Sequence, residues 1–154
     1  MTAIDTVPLS FNQETHVMLD WLARQRGRSR PPSLPMVLAL AIDGALNVDA
    51  LEGALNDIIQ RHLVLRTSFR VSDAGICAAH VWPEAHLHVS RASVPCATDD
   101  EADHGFRELV RRVREERERP FPIDTPPLMR ATLFATGRQR HVLFVTLHHL
   151  VADG

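Results

Sequence analysis

The chain has 154 residues, 45% of them hydrophobic, enough for one domain with a core of its own. Its 17 basic and 19 acidic residues leave a net charge of −2, which offers no electrostatic footprint for nucleic acid. All the basic residues are arginine, lysine and tyrosine are absent, and Cys77 and Cys96 are too few for a disulfide framework or a zinc site.

In chain order, Met1-Thr2-Ala3-Ile4-Asp5 has neither the basic nor the apolar region of a secretory signal. The longest apolar run, Met36 to Ile42, is far too short to span a membrane, so a cytoplasmic location without a membrane partner is expected. After a short polar lead, Ser10 predicts the N-cap of a first helix, with Gln13 completing a capping box. Leu19 and Leu22 continue its apolar face, with Thr15 and Met18 beside it. Arg24, Arg26, Arg28 and Arg30 alternate through a Gly/Ser/Pro loop ending at Pro31-Pro32, read as solvated. The functional alternative is contact with an acidic surface or a phosphate.

Met36 to Asp43 reads as a buried strand. Asn47 or Asp49 starts a second helix, with Asp49 and Glu52 as N-cap and N3, and Val48, Leu51, Leu55, Ile58 and Ile59 on one face. His62, at its end, reads as a partner of the helix dipole. A strand pattern follows, Leu65, Thr67 and Phe69 alternating against Arg66 and Ser68. Arg66 either faces solvent or, if buried among apolar neighbours, demands a charge partner.

Ile76 to Trp82 is another strand, entered through the Ser72-Asp73-Ala74-Gly75 turn. His80, His86 and His88 read as edge-strand histidines, because no cysteine or carboxylate completes a metal-ligand pattern. After a loop with Pro95, Thr98 caps a long helix to Arg119, with Glu101 at N3. Ala102, Phe106, Leu109 and Val113 form its apolar stripe, and Glu108–Arg112 and Glu115–Arg119 are i,i+4 pairs. Pro120 stops it, and a proline-rich connector enters a strand from Leu128 to Ala135. Thr136 to Gln139 turns the chain into the apolar strand His141 to Leu147, which runs into His148-His149-Leu150-Val151-Ala152-Asp153-Gly154. Successive side chains on a strand face opposite sides, so the two histidines take different jobs, one packing and one facing a reaction channel. Asp153-Gly154 turns the chain, Gly154 permitting positive φ or close backbone approach.

The spacing H-H-x-x-x-D-G at 148–154 resembles the signature of the condensation-domain superfamily, which includes the amide-forming domains of nonribosomal peptide synthetases. Arg61 to Phe69 resembles the family's R-H-x-x-L-R-T-x-F at every fixed position, with Leu63 where an acidic residue is often found. Ser10 and Gln13 keep the S-x-x-Q start of the first motif, whose central tryptophan is Val17 here. Pro120 to Arg130 is similar to the segment P-F-x-x-x-x-x-P-L-x-R that precedes the signature. The motifs keep family order over the whole chain.

The resemblance implies an α/β fold: one chloramphenicol-acetyltransferase-like lobe, a mixed sheet with helices packed against it. Residues 1–154 would be the N-terminal lobe, with the C-terminal lobe absent. The implied reaction joins a carrier-bound acyl or peptidyl thioester donor to a carrier-bound aminoacyl acceptor as an amide. By resemblance, His149 accepts the amine proton or hydrogen-bonds the attacking nitrogen. His148 and Asp153 organise the loop, Asp153 through an ion pair with Arg66, and Gly154 presents its N–H near the reacting carbonyl. No cofactor is bound directly; phosphopantetheine arms of donor and acceptor peptidyl carrier proteins deliver the substrates. Since the family's site lies in a cleft between two lobes, one lobe alone is expected to be inactive. Alternatives are a non-catalytic module that binds carrier protein, a related acyltransferase with the same signature, or an epimerisation domain.

Overall fold

Residues 5–27, 35–72, 74–94 and 99–152 are described by the computed structural model of the chain. Expectations at Arg28, Arg30, Asp73, Pro95, Cys96, Thr98, Asp153 and Gly154, and for the side chains of Glu101 and Ala102, lie outside the described residues.

Strand β1 (Asp5–Val7) precedes α1 (Phe11–Gln25), β2 (Met36–Asp43) and α2 (Val48–Arg61). A short 3-10 turn (Leu63–Arg66) leads into β3 (Thr67–Val71) and β4 (Cys77–Val81). Then come β5 (Val89–Ser93), α3 (Asp99–Glu118), β6 (Met129–Gly137) and β7 (Arg140–Leu147). The expected mixed α/β lobe is present, but its strands form two sheets rather than one central sheet: β1-β4-β3 and β2-β7-β6-β5. The mixed character comes from β5, which runs parallel to β6 after the α3 crossover, with Val89 opposite Ala131 and Ser93 opposite Ala135.

Two strands escape the sequence pattern. β1 has three residues and no apolar alternation, yet pairs antiparallel with β4. β5 is polar along Ser90-Arg91 and lies at a sheet edge, where only one neighbour strand is required. The antiparallel pair of β6 and β7 separates two apolar clusters. Ala131, Leu133, Leu143 and Val145 join Ile59, Leu65, Phe69 and Leu128 in the larger one. Phe134, Phe144 and Val94 form the smaller one, covered by Leu109 and Val113 of α3.

Several burial expectations are corrected. Among the described residues β2 is an edge strand, hydrogen-bonded to β7 alone, and Val37, Leu38 and Leu40 are 46%, 48% and 45% exposed. Phe106 is exposed, so the packed face of α3 is the narrower Leu109–Val113 stripe. Glu108 pairs with Arg112 as expected, but Glu115 turns back to Arg111 rather than forward to Arg119. On α1 the buried residues are Val17, Asp20 and Ala23, while Leu19 and Leu22 face out. Arg24 belongs to this helix, not to a solvated loop: its Nε donates to Asp20 at 2.6 Å. The α2 N-cap is Asn47, whose side chain accepts the Ala50 N–H, rather than Asp49. Glu52 is instead taken up by the Val89 N–H at 2.8 Å, with His88 beside it, and that contact pulls its carboxyl below the usual range. Among the described residues, no helix is long and apolar enough to cross a membrane.

Ile58 and Ile59 read alike in sequence, but Ile59 is fully buried and Ile58 is 45% exposed. Ile59→Ala is expected to cost about 2–5 kcal/mol and Ile58→Ala about 0.5 kcal/mol or less, measured by urea unfolding.

Candidate functional site

β7 ends at Leu147, and its last hydrogen bond to β6 is continued by His148, whose N–H donates to the Leu128 carbonyl at 3.0 Å. The Val151 N–H then donates to the His148 carbonyl at 3.0 Å, closing a turn. The two histidines are therefore separated by a turn rather than by continued strand pairing. The expected outcome of that alternation still holds: His148 is buried, at 3% exposure, and His149 is half-buried.

The buried ring is fully engaged. His148 Nδ1 accepts the Leu150 N–H at 3.1 Å, which requires an unprotonated Nδ1 and, in the neutral ring, a proton on Nε2. Phe121 meets it edge-on, centroids 5.8 Å apart at 80°. Burial pushes its pKa down to about 4, helped by the neighbouring His149, His16, Arg24 and Arg130.

Phe121 is itself clamped. Arg24 Nη2 donates to its carbonyl at 2.9 Å, and the Arg130 guanidinium lies 3.8 Å from its ring centroid. Arg130 also donates to the carbonyls of Glu116, Arg119 and Pro120 at 3.0, 2.8 and 2.9 Å, so it caps the C-terminal end of α3. Burial lowers its pKa to about 10. The P-F-x-x-x-x-x-P-L-x-R segment thus ties α3 to the histidine turn.

From the other side, the S-x-x-Q element performs two tasks. Ser10 and Gln13 form the expected capping box at 3.0 and 3.3 Å. Gln13 Nε2 also donates to the Leu150 carbonyl at 3.1 Å. Leu150 is thereby held through its N–H by His148 and through its carbonyl by Gln13. Between these anchors His149 lines a cleft of about 430 Å³ with Ser10, Asn12, Gln13, His16 and Val64. The His16 and His149 rings are nearly parallel, 11° apart, with centroids separated by 5.7 Å. His16 belongs to none of the sequence motifs; its one signal is its place three residues after Gln13 and so on the same helix face. A larger cleft of about 530 Å³, lined by Met18, Leu19, Ile76 and Cys77 among others, has no histidine among its described lining residues.

Arg66 is placed in the 3-10 turn rather than on the strand, and it is buried. It donates to the carbonyls of Trp82 and Pro83, while its Nε has no hydrogen-bond partner among the described residues. Asp153 and Gly154 lie outside the described residues, so neither the ion pair nor the Gly154 N–H is placed. Among the described residues no cluster of three or more metal-ligating side chains occurs; His88 and His86 instead lie beside Glu52 and Glu84.

Comparison with known proteins adds three findings. The family model described as "Condensation domain" matches residues 4–154. Chondramide synthase cmdD of Chondromyces crocatus is 37% identical over 150 residues, covering 97% of this chain and 4% of that protein. Two solved structures share the fold. The first condensation domain of the CDA synthetase has a TM-score of 0.76 at 23% identity, covering 99% of this chain and 37% of that one. An X-domain in complex with OxyB, from teicoplanin biosynthesis, has a TM-score of 0.75 at 29% identity, covering 99% and 30%. The chain spans only a few per cent of the length of the curated relatives it matches.

The depressed pKa of His148 makes stability depend on pH. In the unfolded chain a histidine titrates near 6.5, in the folded chain His148 titrates at about 4, and between these values the unfolded state binds more protons. Stability is therefore intact above pH ~6.5 and falls on acidification towards pH 4, by roughly 3 kcal/mol at most. Urea unfolding at pH 7.5 and 4.5 measures this, and His148→Asn should flatten the difference.

Proposed function

This chain belongs to the condensation-domain family, and on that premise we propose that it is the N-terminal lobe of an amide-forming domain of a nonribosomal peptide synthetase. The observation that carries the reading is the division of labour between the histidines. His148 is buried and committed to Leu150, whereas His149 is presented to a cleft on a loop tethered from both sides. A reactive imidazole needs that combination of access and rigid support.

In this reading the acceptor amine's lone pair attacks the thioester carbonyl carbon of the donor. The new C–N bond forms, an amine proton passes to His149, and the C–S bond breaks as the pantetheine sulfur leaves and takes up a proton. Donor and acceptor carrier proteins bring both substrates on phosphopantetheine arms, in the cytoplasm, and no further cofactor takes part. Asp153 pairs with Arg66, supported by the buried guanidinium's need for an opposing charge. Gly154 offers its N–H to the developing oxyanion. The second wall of the cleft comes from a C-terminal lobe, and the 154-residue lobe alone is inactive.

A second reading, a non-catalytic interaction module, draws support from the similar X-domain that was solved in complex with OxyB. Both readings are tested by incubating this chain, and a longer form carrying a second lobe, with loaded donor and acceptor carrier proteins. Intact mass spectrometry follows the acyl group. The longer form alone should transfer it, and His149→Ala should slow transfer by about 100-fold or more while leaving the fold intact. Transfer indifferent to His149→Ala overturns the assignment; tight carrier binding without transfer establishes the interaction module.

A further inference from the structure

The cleft contains a second imidazole that none of the sequence motifs accounts for. His16 projects from α1 one turn after Gln13, the residue that holds Leu150, and its ring lies nearly parallel to that of His149 at a centroid separation of 5.7 Å. Both rings are half-buried and line the same cleft. At that spacing the two parallel rings stand apart rather than in van der Waals contact, and both border the same cleft. An amine nitrogen donating its two hydrogens to two ring nitrogens at ~2.9 Å each, with a near-tetrahedral H–N–H angle, needs those nitrogens about 4.7 Å apart, a separation that rings with centroids 5.7 Å apart can present.

The chemistry of the nucleophile matches this arrangement. A neutral primary amine has two N–H donors and one lone pair, and only the lone pair bonds to the thioester carbon. Two acceptors holding both hydrogens direct the lone pair outward. A single acceptor leaves the amine free to rotate about one hydrogen bond.

We propose that His16 is a second substrate-touching imidazole, which with His149 accepts the two N–H groups of a primary-amine nucleophile and aims its lone pair. The assignment rests on the amide-forming reading of the cleft. During the step the N–H held by His149 gives up its proton as the C–N bond forms and the C–S bond breaks. The N–H held by His16 stays on nitrogen and becomes the amide N–H. His16 is thus an orienting group, and it distinguishes primary amines from secondary ones, which have no second hydrogen to place.

The test uses the longer form carrying both lobes, with one acceptor amino acid and its N-methyl counterpart loaded on the same carrier protein. His16→Leu should lower kcat/KM for the primary amine about tenfold, the scale of one hydrogen bond, and change the N-methyl acceptor less than about twofold. His16→Gln, which keeps an acceptor oxygen, should recover most of the primary-amine rate. Circular dichroism confirms that each variant folds. Equal losses on both acceptors, no loss on either, or a Gln variant no better than the Leu variant overturns the proposal. If the N-methyl acceptor is inert with the unaltered protein, the Gln rescue decides. Absence of transfer by the unaltered protein to either acceptor instead refutes the amide-forming reading, and His149→Ala, which should depress both acceptors, separates the two failures.

Discussion

The arrangement of the site depends on one imidazole that must stay unprotonated at Nδ1. His148 accepts the Leu150 N–H from inside the core, and a proton on that nitrogen would replace an attraction with a clash of donors. Burial above all, with the neighbouring His149, His16, Arg24 and Arg130, opposes that proton. The turn that exposes His149 is therefore built on its neighbour's inability to ionise. Arg130 and Arg24 also contribute indirectly, by fixing Phe121 through its ring and its carbonyl. A contact at the end of α3 is thus linked to the cleft through three side chains in series.

The motifs acquire physical meaning in this network. S-x-x-Q starts α1 and anchors Leu150. P-F-x-x-x-x-x-P-L-x-R supplies the aromatic wall of His148 and the arginine that supports it. Two segments far apart in sequence thus converge on the four-residue turn 148–151, so each constrains the other.

Much of this was legible in sequence, and the misreadings share a cause. Helix α1 is legible from its cap, but its apolar side is not the packed side. The inward stripe in fact combines the apolar Val17 with the polar Gln13, Asp20 and Arg24, and the buried Asp20 is tolerable because Arg24 pairs with it. Periodicity detects apolar faces, and a site-building face is polar by necessity. His16 gives no signal in the sequence pattern for the same reason. The opposite error occurred at β2 and Phe106, where apolar residues were assumed buried, although hydrophobicity records only that a surface prefers cover. The terminal strand and its two histidines are readable because β7 is paired on both edges, packs an apolar cluster on each face, and runs at once into the turn.

The exposed β2 carries a liability separate from chemistry. From Met36 to Ile42 it is uncharged, free of proline and apolar, and among the described residues no strand pairs with its outer edge. Lysine, the residue proteins most often place on such edges to repel other strands, is missing from the whole chain. Asp43 at one end is the strand's single charge. At high concentration, copies of the lobe can therefore add strand to strand along this margin. Whatever covers β2 also sets the concentration at which the lobe stays dispersed, so colloidal behaviour and completion of the sheet are controlled by the same eight residues.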